Sequence, residues 1–287
     1  DGTMVTPDKG TPQGGIISPL LANIVLNELD WWIESQWQDN PVVWSGKPCY
    51  DAKGGPIKSN GYKAMRATRL KEMYMVRYAD DFRVFCPTAD VAFRAKTAVT
   101  QWLKERLRLD ISPEKTRVVS LENQYSEFLG IKMKLRQKKG KMVVHSRVGD
   151  KAIQRIRAEA KQKVRAIVRP QKGNTDIHAI HDYNAFVMGV HNYYRMATAV
   201  IVDFAEIGYR AWKIFYRLGK RLKKSPRGEV TGAVVERYGE SAQMRYLKNL
   251  PIAPIAYTRT KPPMNKKRSV QKYTPEGRKE IHKNLGI

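Results

Sequence analysis

The sequence predicts an α+β fold, with strands and helices mixed in its first half and helices alone in most of its second. Three observations carry this. Two short apolar runs, residues 73–78 and 82–86, flank Ala79-Asp80-Asp81 and read as two strands joined by a turn. From Lys151 onward, apolar residues recur at intervals of three and four, the helical period. Hydrophobic residues make up 42% of the 287, enough for a core in a chain of about two domains and too many for a disordered basic tail.

Taken in order, residues 1–15 are Gly/Pro-rich and polar and read as a loop. Ser18-Pro19 then suits a helix start, with Ser as N-cap and Pro at the first helical position. Leu20/Leu21, Ile24/Val25, Leu29 and Trp32/Ile33 give that helix a wide apolar stripe running to about Trp37. Residues 38–68, rich in Gly and Pro, read as an irregular insertion. After the hairpin, Thr88 caps a helix whose inward face is Val91, Ala95, Ala98, Val99, Trp102, Leu103 and Leu107. Strands are expected near 117–121, 127–135 and 142–145, the last two separated by a Lys138-Lys139-Gly140-Lys141 turn. Helices are expected near 150–168, 176–197 and 199–223, then a Gly/Ser/Pro linker over 224–235 and a short helix at 237–249. Residues 251–272, with four prolines and Lys266-Lys267-Arg268, read as extended and lying on a partner; Thr274-Pro275-Glu276 caps a last helix ending at Gly286.

Charge narrows the partners. The chain carries 53 Lys/Arg against 27 Asp/Glu, a formal net charge of +26. Residues 151–287 hold 29 of those cations against 10 acids, or +19, whereas residues 1–150 carry only +7. Such a half favours a polyanion, and its interleaved Trp, Tyr and Phe add stacking surfaces to phosphate neutralisation, which points to nucleic acid over anionic lipid. No run approaches 18 apolar residues, so no membrane-spanning helix is expected. Nor is a secretory leader read at Asp1-Gly2-Thr3, and two cysteines, Cys49 and Cys86, form neither a disulfide framework nor a multi-Cys zinc site; a reducing compartment is the simpler reading.

The sharpest local feature is Tyr78-Ala79-Asp80-Asp81. Two adjacent carboxylates at a hairpin tip repel one another unless a divalent cation sits between them and a phosphate-bearing substrate, and hard oxygen donors suit Mg²⁺. Alone, the tetrapeptide is equally ordinary turn chemistry.

Its context is Gly10-Thr11-Pro12-Gln13-Gly14-Gly15 leading into Ile16-Ile17-Ser18-Pro19-Leu20-Leu21-Ala22-Asn23 upstream, and Leu109 to Lys115-Thr116 and Phe128-Leu129-Gly130 downstream. In order and spacing these motifs resemble reverse transcriptases, and more narrowly group II intron-encoded reverse transcriptase/maturases. The resemblance covers nearly the whole chain. It implies the second half of a polymerase palm over residues 1–149, an antiparallel sheet with helices. It further implies a three-helix thumb, or domain X, over 150–224, and a basic, partly extended linker and DNA-binding region over 225–287, where Pro251-Ile252 and Tyr273-Thr274-Pro275-Glu276-Gly277-Arg278 match.

Residue by residue, the resemblance makes Asp80 and Asp81 the catalytic metal ligands, for Mg²⁺ or Mn²⁺ in its place. Pro12, Gln13, Gly14, Tyr78, Ala79 and Lys115 would meet the template and incoming deoxynucleotide, and Phe128, Leu129 and Gly130 would form the primer grip. Tyr193, Tyr194, Arg195, Lys220, Arg221, Lys223, Lys224, Lys266, Lys267 and Arg268 would contact nucleic acid. The implied activity is RNA-directed DNA synthesis during intron mobility, together with binding of intron RNA to assist splicing. The implied partners are group II intron RNA, RNA template with DNA primer, and target DNA. A bacterial cytoplasm with its nucleoid and ribonucleoprotein, or an organelle, is the expected location. The sequence indicates no oligomeric state.

The sequence departs from the family in lacking the fingers, the palm's first Asp motif and a Cys/His-rich nuclease domain. Asp1 and Asp8 lie in no hydrophobic strand and are not assigned that first role. The remainder is expected from a longer polypeptide or another chain. Two alternatives stay open: a maturase that only binds RNA for splicing, and a reverse transcriptase of another bacterial retroelement.

Overall fold

The computed structural model describes residues 17–38, 40, 52, 59–170, 176–260, 279 and 282. The chain forms two compact units that part between Val119 and Ser120. Among the described residues, no helix is long and apolar enough to cross a membrane.

The first unit is built on α1 (Ser18–Gln36), α2 (Ser59–Arg66), the hairpin β1 (Tyr74–Tyr78) and β2 (Asp81–Phe85), and α3 (Ala89–Leu107). Ile17, not Ser18, is the N-cap of α1, and Pro19 follows in the first turn, where its missing N–H costs no helical bond. Only the C-terminal half of α1 is covered. Leu26, Leu29, Ile33 and Trp37 are buried, while Ile17 and Ile24 are 60% and 61% exposed. The core is completed by Met65 of α2, Met73, and Ala95, Val99 and Leu103 of α3. The periodicity of α3 is as expected except at Ala98, which faces solvent. The Thr88 hydroxyl accepts from the Val91 N–H at 3.3 Å, the expected cap. Trp32 stacks on Trp102 at 5.2 Å and Trp37 on Tyr62 at 5.8 Å, so aromatic rings cement α1 to α3 and α2. Helix α2 falls in a stretch expected to be irregular: Tyr62 and Met65, three apart, pack on this core.

The second unit opens with the antiparallel sheet β3 (Ser126–Phe128), β4 (Ile131–Lys138) and β5 (Lys141–Val148). No strand forms at 117–121, and the strand expected over 127–135 breaks at Leu129-Gly130. Three helices follow, α4 (Asp150–Val168), α5 (Asp176–Tyr194) and α6 (Val200–Phe215), the last continued by a 3₁₀ turn (Tyr216–Arg221). Val148 and Ile131 pack into the same core as these helices.

Beyond residue 221 the structure departs most from expectation. Helix α7 (Ala233–Tyr238) is short, and 245–252 is a hairpin, not the end of a helix. There β7 (Arg245–Leu247) pairs with β8 (Leu250–Ile252), and β6 (Leu222–Lys223) pairs with β7. Lys248 and Asn249, both at positive φ, form its two-residue turn. Residues 251–260, expected to lie extended on a partner, instead close the helical core, with Ile252, Ala253 and Ile255 buried. Gly208 permits this: a Cβ there would sit 2.5 Å from that of Ala256 and 3.3 Å from its backbone. Asn184 of α5 seals the join, its amide donating to the Pro251 carbonyl at 2.7 Å and accepting from the Ala253 N–H at 2.8 Å. The helix expected at the C-terminus, after Pro275, lies largely outside the described residues.

His191, also on α5, is wholly buried between this segment and α7. Its Nε2 lies 2.9 Å from the Ile255 carbonyl and its Nδ1 2.8 Å from the Tyr238 hydroxyl. A carbonyl only accepts, so Nε2 carries the proton and Nδ1 accepts from Tyr238, the arrangement of a neutral ring. Burial pulls this imidazole down to about 4, with the Ile255 bond opposing in part. The unfolded chain, with an ordinary histidine, binds the proton more readily. Stability from this site is therefore complete above about pH 6.5 and lost as pH falls from there toward 4, by about 3 kcal/mol. Urea unfolding at pH 7 and pH 4.5 should show that loss, and it should shrink in His191→Phe; an equal loss in both proteins would refute the assignment.

Candidate catalytic hairpin and nucleic-acid surface

Strands β1 and β2 pair in register from Tyr74↔Phe85 to Tyr78↔Asp81, leaving Ala79 and Asp80 as a two-residue turn. Ala79 takes positive φ (52°), a conformation that alanine adopts at a cost of roughly 1–2 kcal/mol. Asp80 and Asp81 are both exposed at this tip. Arg83 donates to Asp81 Oδ1 at 2.6 Å and to the Phe82 carbonyl at 2.8 Å. Among the described residues, Asp80 has no ion pair. Tyr78 is exposed beside them, and Ala79 is half-buried. The two carboxylates are hard donors of the kind a divalent cation takes, so the residues present fit such an ion. Among the described residues no third acidic, His or Cys side chain joins them.

Lys115 lies exposed in the turn after α3, where the Lys96 ammonium donates to the neighbouring Thr116 carbonyl at 3.1 Å. Pro12, Gln13 and Gly14, and Lys266, Lys267 and Arg268, lie outside the described residues.

In the second unit, Phe128 ends β3, and Leu129 and Gly130 form the turn into β4. Both have positive φ (51° and 72°), so Gly130 is a turn glycine and not a strand bulge. This turn forms one wall of a groove of about 830 Å³ whose other walls are α4 and α5, with Lys151, Arg155 and Tyr193 along it. The Tyr193 hydroxyl donates to the Leu129 carbonyl at 3.0 Å. The structure thus brings two separate sequence predictions, the Leu129–Gly130 turn and Tyr193, into one groove. Tyr194 is different. It is 4% exposed and packs edge-on against Tyr193 and Phe204, so it supports the groove from beneath and offers no stacking face. Arg195 is half-buried, whereas Lys220, Arg221, Lys223 and Lys224 are exposed; Arg221 and Lys248 flank the buried Asp176.

Sequence reasoning missed an exposed aromatic ladder on the outer face of α6 and the 3₁₀ turn: Tyr209, Trp212 and Tyr216. Lys213 lies 4.5 Å from the Tyr209 ring centroid and Arg245 5.0 Å from that of Trp212. Spacings of three and four on the polar side of an amphipathic helix were the available signal. Rings backed by cations on a strongly basic unit suit bases and phosphates together.

A paired-carboxylate hairpin backed by helices, followed by a helical unit with basic and aromatic surfaces, makes this an α+β chain whose elements are consistent with the C-terminal part of a reverse transcriptase palm and a helical region. Residues 3–133 match the reverse transcriptase (RNA-dependent DNA polymerase) family. The chain is 26% identical to the group II intron-encoded protein LtrA of Lactococcus lactis subsp. cremoris over 283 residues, covering 79% of this chain and 45% of LtrA. It is 29% identical to protein YkfC of Escherichia coli (strain K12) over 156 residues, 51% of this chain and 38% of YkfC. It is also 25% identical to the putative COX1/OXI3 intron 2 protein of Saccharomyces cerevisiae over 235 residues, 66% and 27% of the two chains. The resemblance to group II intron-encoded reverse transcriptase/maturases is borne out by these matches. The chain spans less than half the length of these relatives.

Proposed function

We propose that this chain is part of a group II intron-encoded RNA-directed DNA polymerase, and that the same protein binds its intron RNA as a maturase during splicing. The observation that carries the reading is the exposed Asp80–Asp81 pair on a tight hairpin tip inside a segment that matches reverse transcriptases. In this reading residues 1–149 are palm, 150–224 thumb and 225–287 the region that meets target DNA.

The reaction joins a primer 3′-oxygen to the α-phosphorus of a deoxynucleoside triphosphate as the bond to the β-phosphate oxygen breaks and pyrophosphate leaves. Asp80 and Asp81 are the ligands on this chain for Mg²⁺, or Mn²⁺ in its place. When bound, that ion supplies electrostatic stabilisation of the charge on the entering and leaving oxygens. Tyr78 and Ala79 lie beneath the primer end. The Leu129–Gly130 turn, with its backbone held by Tyr193, grips the primer strand. Exposed cations and the rings of Tyr209, Trp212 and Tyr216 hold RNA, neutralising phosphates and stacking on unpaired bases.

Extension of a DNA primer on an RNA template by the full-length protein is the test. Product that requires RNA template and divalent metal is the expected result. Tight RNA binding with no extension in either Mg²⁺ or Mn²⁺ would overturn the polymerase half and leave a splicing factor.

A further inference from the structure

Arg77 is the penultimate residue of β1, and its side chain is only 10% exposed. Nε and Nη2 donate to the two oxygens of Asp30 at 2.8 Å each, a bidentate pair with a carboxylate itself 6% exposed. Nη1 donates to Asn23 Oδ1 at 2.9 Å and to the Ala79 carbonyl at 2.7 Å. One guanidinium therefore ties two turns of α1, at Asn23 and Asp30, to the backbone of the hairpin tip. The carbonyl it holds belongs to the one tip residue at positive φ. That carbonyl shares a rigid peptide plane with the Asp80 N–H, so holding it sets the direction in which Asp80 leaves the turn. Lysine, with one compact ammonium, cannot reproduce this fork.

We propose that Arg77, anchored by Asp30 and Asn23, is a positioning residue that sets the geometry of the Asp80–Asp81 pair for divalent metal. This rests on the metal-ligand reading of that pair above. An ordinary buried ion pair would stabilise the unit without affecting metal; a positioning residue changes metal affinity.

The test is Mn²⁺ binding to the full-length protein with primer–template bound, followed by electron paramagnetic resonance of the free ion, alongside the metal dependence of extension and the melting temperature. Arg77→Lys is expected to weaken Mn²⁺ binding about tenfold, raise the half-saturating metal concentration to match and lower kcat, with primer–template affinity and the KM for deoxynucleotide unchanged. Asn23→Ala leaves the Arg77–Asp30 pair in place, so it tests the idea even if Arg77→Lys folds poorly; a loss of about threefold is expected. Arg66→Lys, which alters the surface pair with Glu72, should leave metal binding unchanged. If Arg77→Lys and Asn23→Ala lower the melting temperature but bind Mn²⁺ like the parent, the positioning role is wrong. Should Asp80→Asn also bind Mn²⁺ like the parent, the metal-ligand reading fails and takes this proposal with it. Loss of metal in Asp80→Asn alone overturns only the role of Arg77.

Discussion

Asp80→Asn is expected to lower RNA-templated primer extension by about 10³-fold or more, equivalent to about 4 kcal/mol of transition-state stabilisation, with RNA affinity unchanged. The argument is electrostatic. Two adjacent carboxylates stand exposed at one tip, and Arg83, 2.6 Å from Asp81, offsets the charge of that member alone. The negative charge of Asp80 has no counterpart among the described residues, and a divalent cation is its natural complement. Asparagine keeps the size and turn preference of aspartate, so the hairpin should form as before. It replaces an anionic oxygen with a neutral amide, a far weaker ligand for a hard ion. Single-turnover extension and equilibrium RNA binding separate the two consequences. A variant that extends within tenfold of the parent would remove Asp80 from the reaction.

The hairpin was legible because its strand pairing is local: two strands of five residues and a two-residue turn between them. The helix capped by Thr88 and the helix over 150–168 were legible for the same reason, since caps and periodicity are short-range. What failed involved choices that local pattern does not make. Lys248-Asn249 can end a helix or turn a hairpin, and the decision falls to Asn184, more than sixty residues away, which pairs with the backbone on either side of Ile252. Phe128 to Leu135 reads as one strand because Ile131-Lys132-Met133-Lys134-Leu135 alternates apolar and polar directly after Phe128-Leu129, yet Gly130 permits the turn. Arg77 was invisible as a site residue because its partners, Asn23 and Asp30, lie 54 and 47 positions upstream. Helix α1 marks a different limit. Its periodicity shows an apolar stripe but not how much of that stripe a core covers, and only the stretch from Leu26 to Trp37 is buried.

Long-range polar ties of this kind also set the largest stability effect. Asp203→Asn should destabilise the protein by about 3–5 kcal/mol, lowering the melting transition by roughly 10 °C. Asp203 sits in the first turn of α6 and is 5% exposed. Its Oδ1 accepts from Arg147 Nε at 2.9 Å and Nη2 at 2.5 Å, and its Oδ2 accepts from the Val148 N–H at 3.0 Å. All three partners are donors, so an asparagine must point its NH₂ group at one of them, whichever way it turns. The half-buried Arg147 then loses its counterion, or the buried Val148 keeps an N–H without an acceptor, and either is costly. Arg147→Ala should also be costly, because it leaves Asp203, 5% exposed, as a buried anion bonded only to the Val148 N–H. Thermal and urea unfolding of both variants test the mechanism, and Asp203→Asn unfolding within 1 kcal/mol of the parent would refute it. The consequence extends to the groove, since β5 pairs with β4, which carries the Leu129–Gly130 turn, and Asp203 is what ties the end of β5 to α6. Loosening that tie should weaken nucleic-acid binding at temperatures where the protein is still folded.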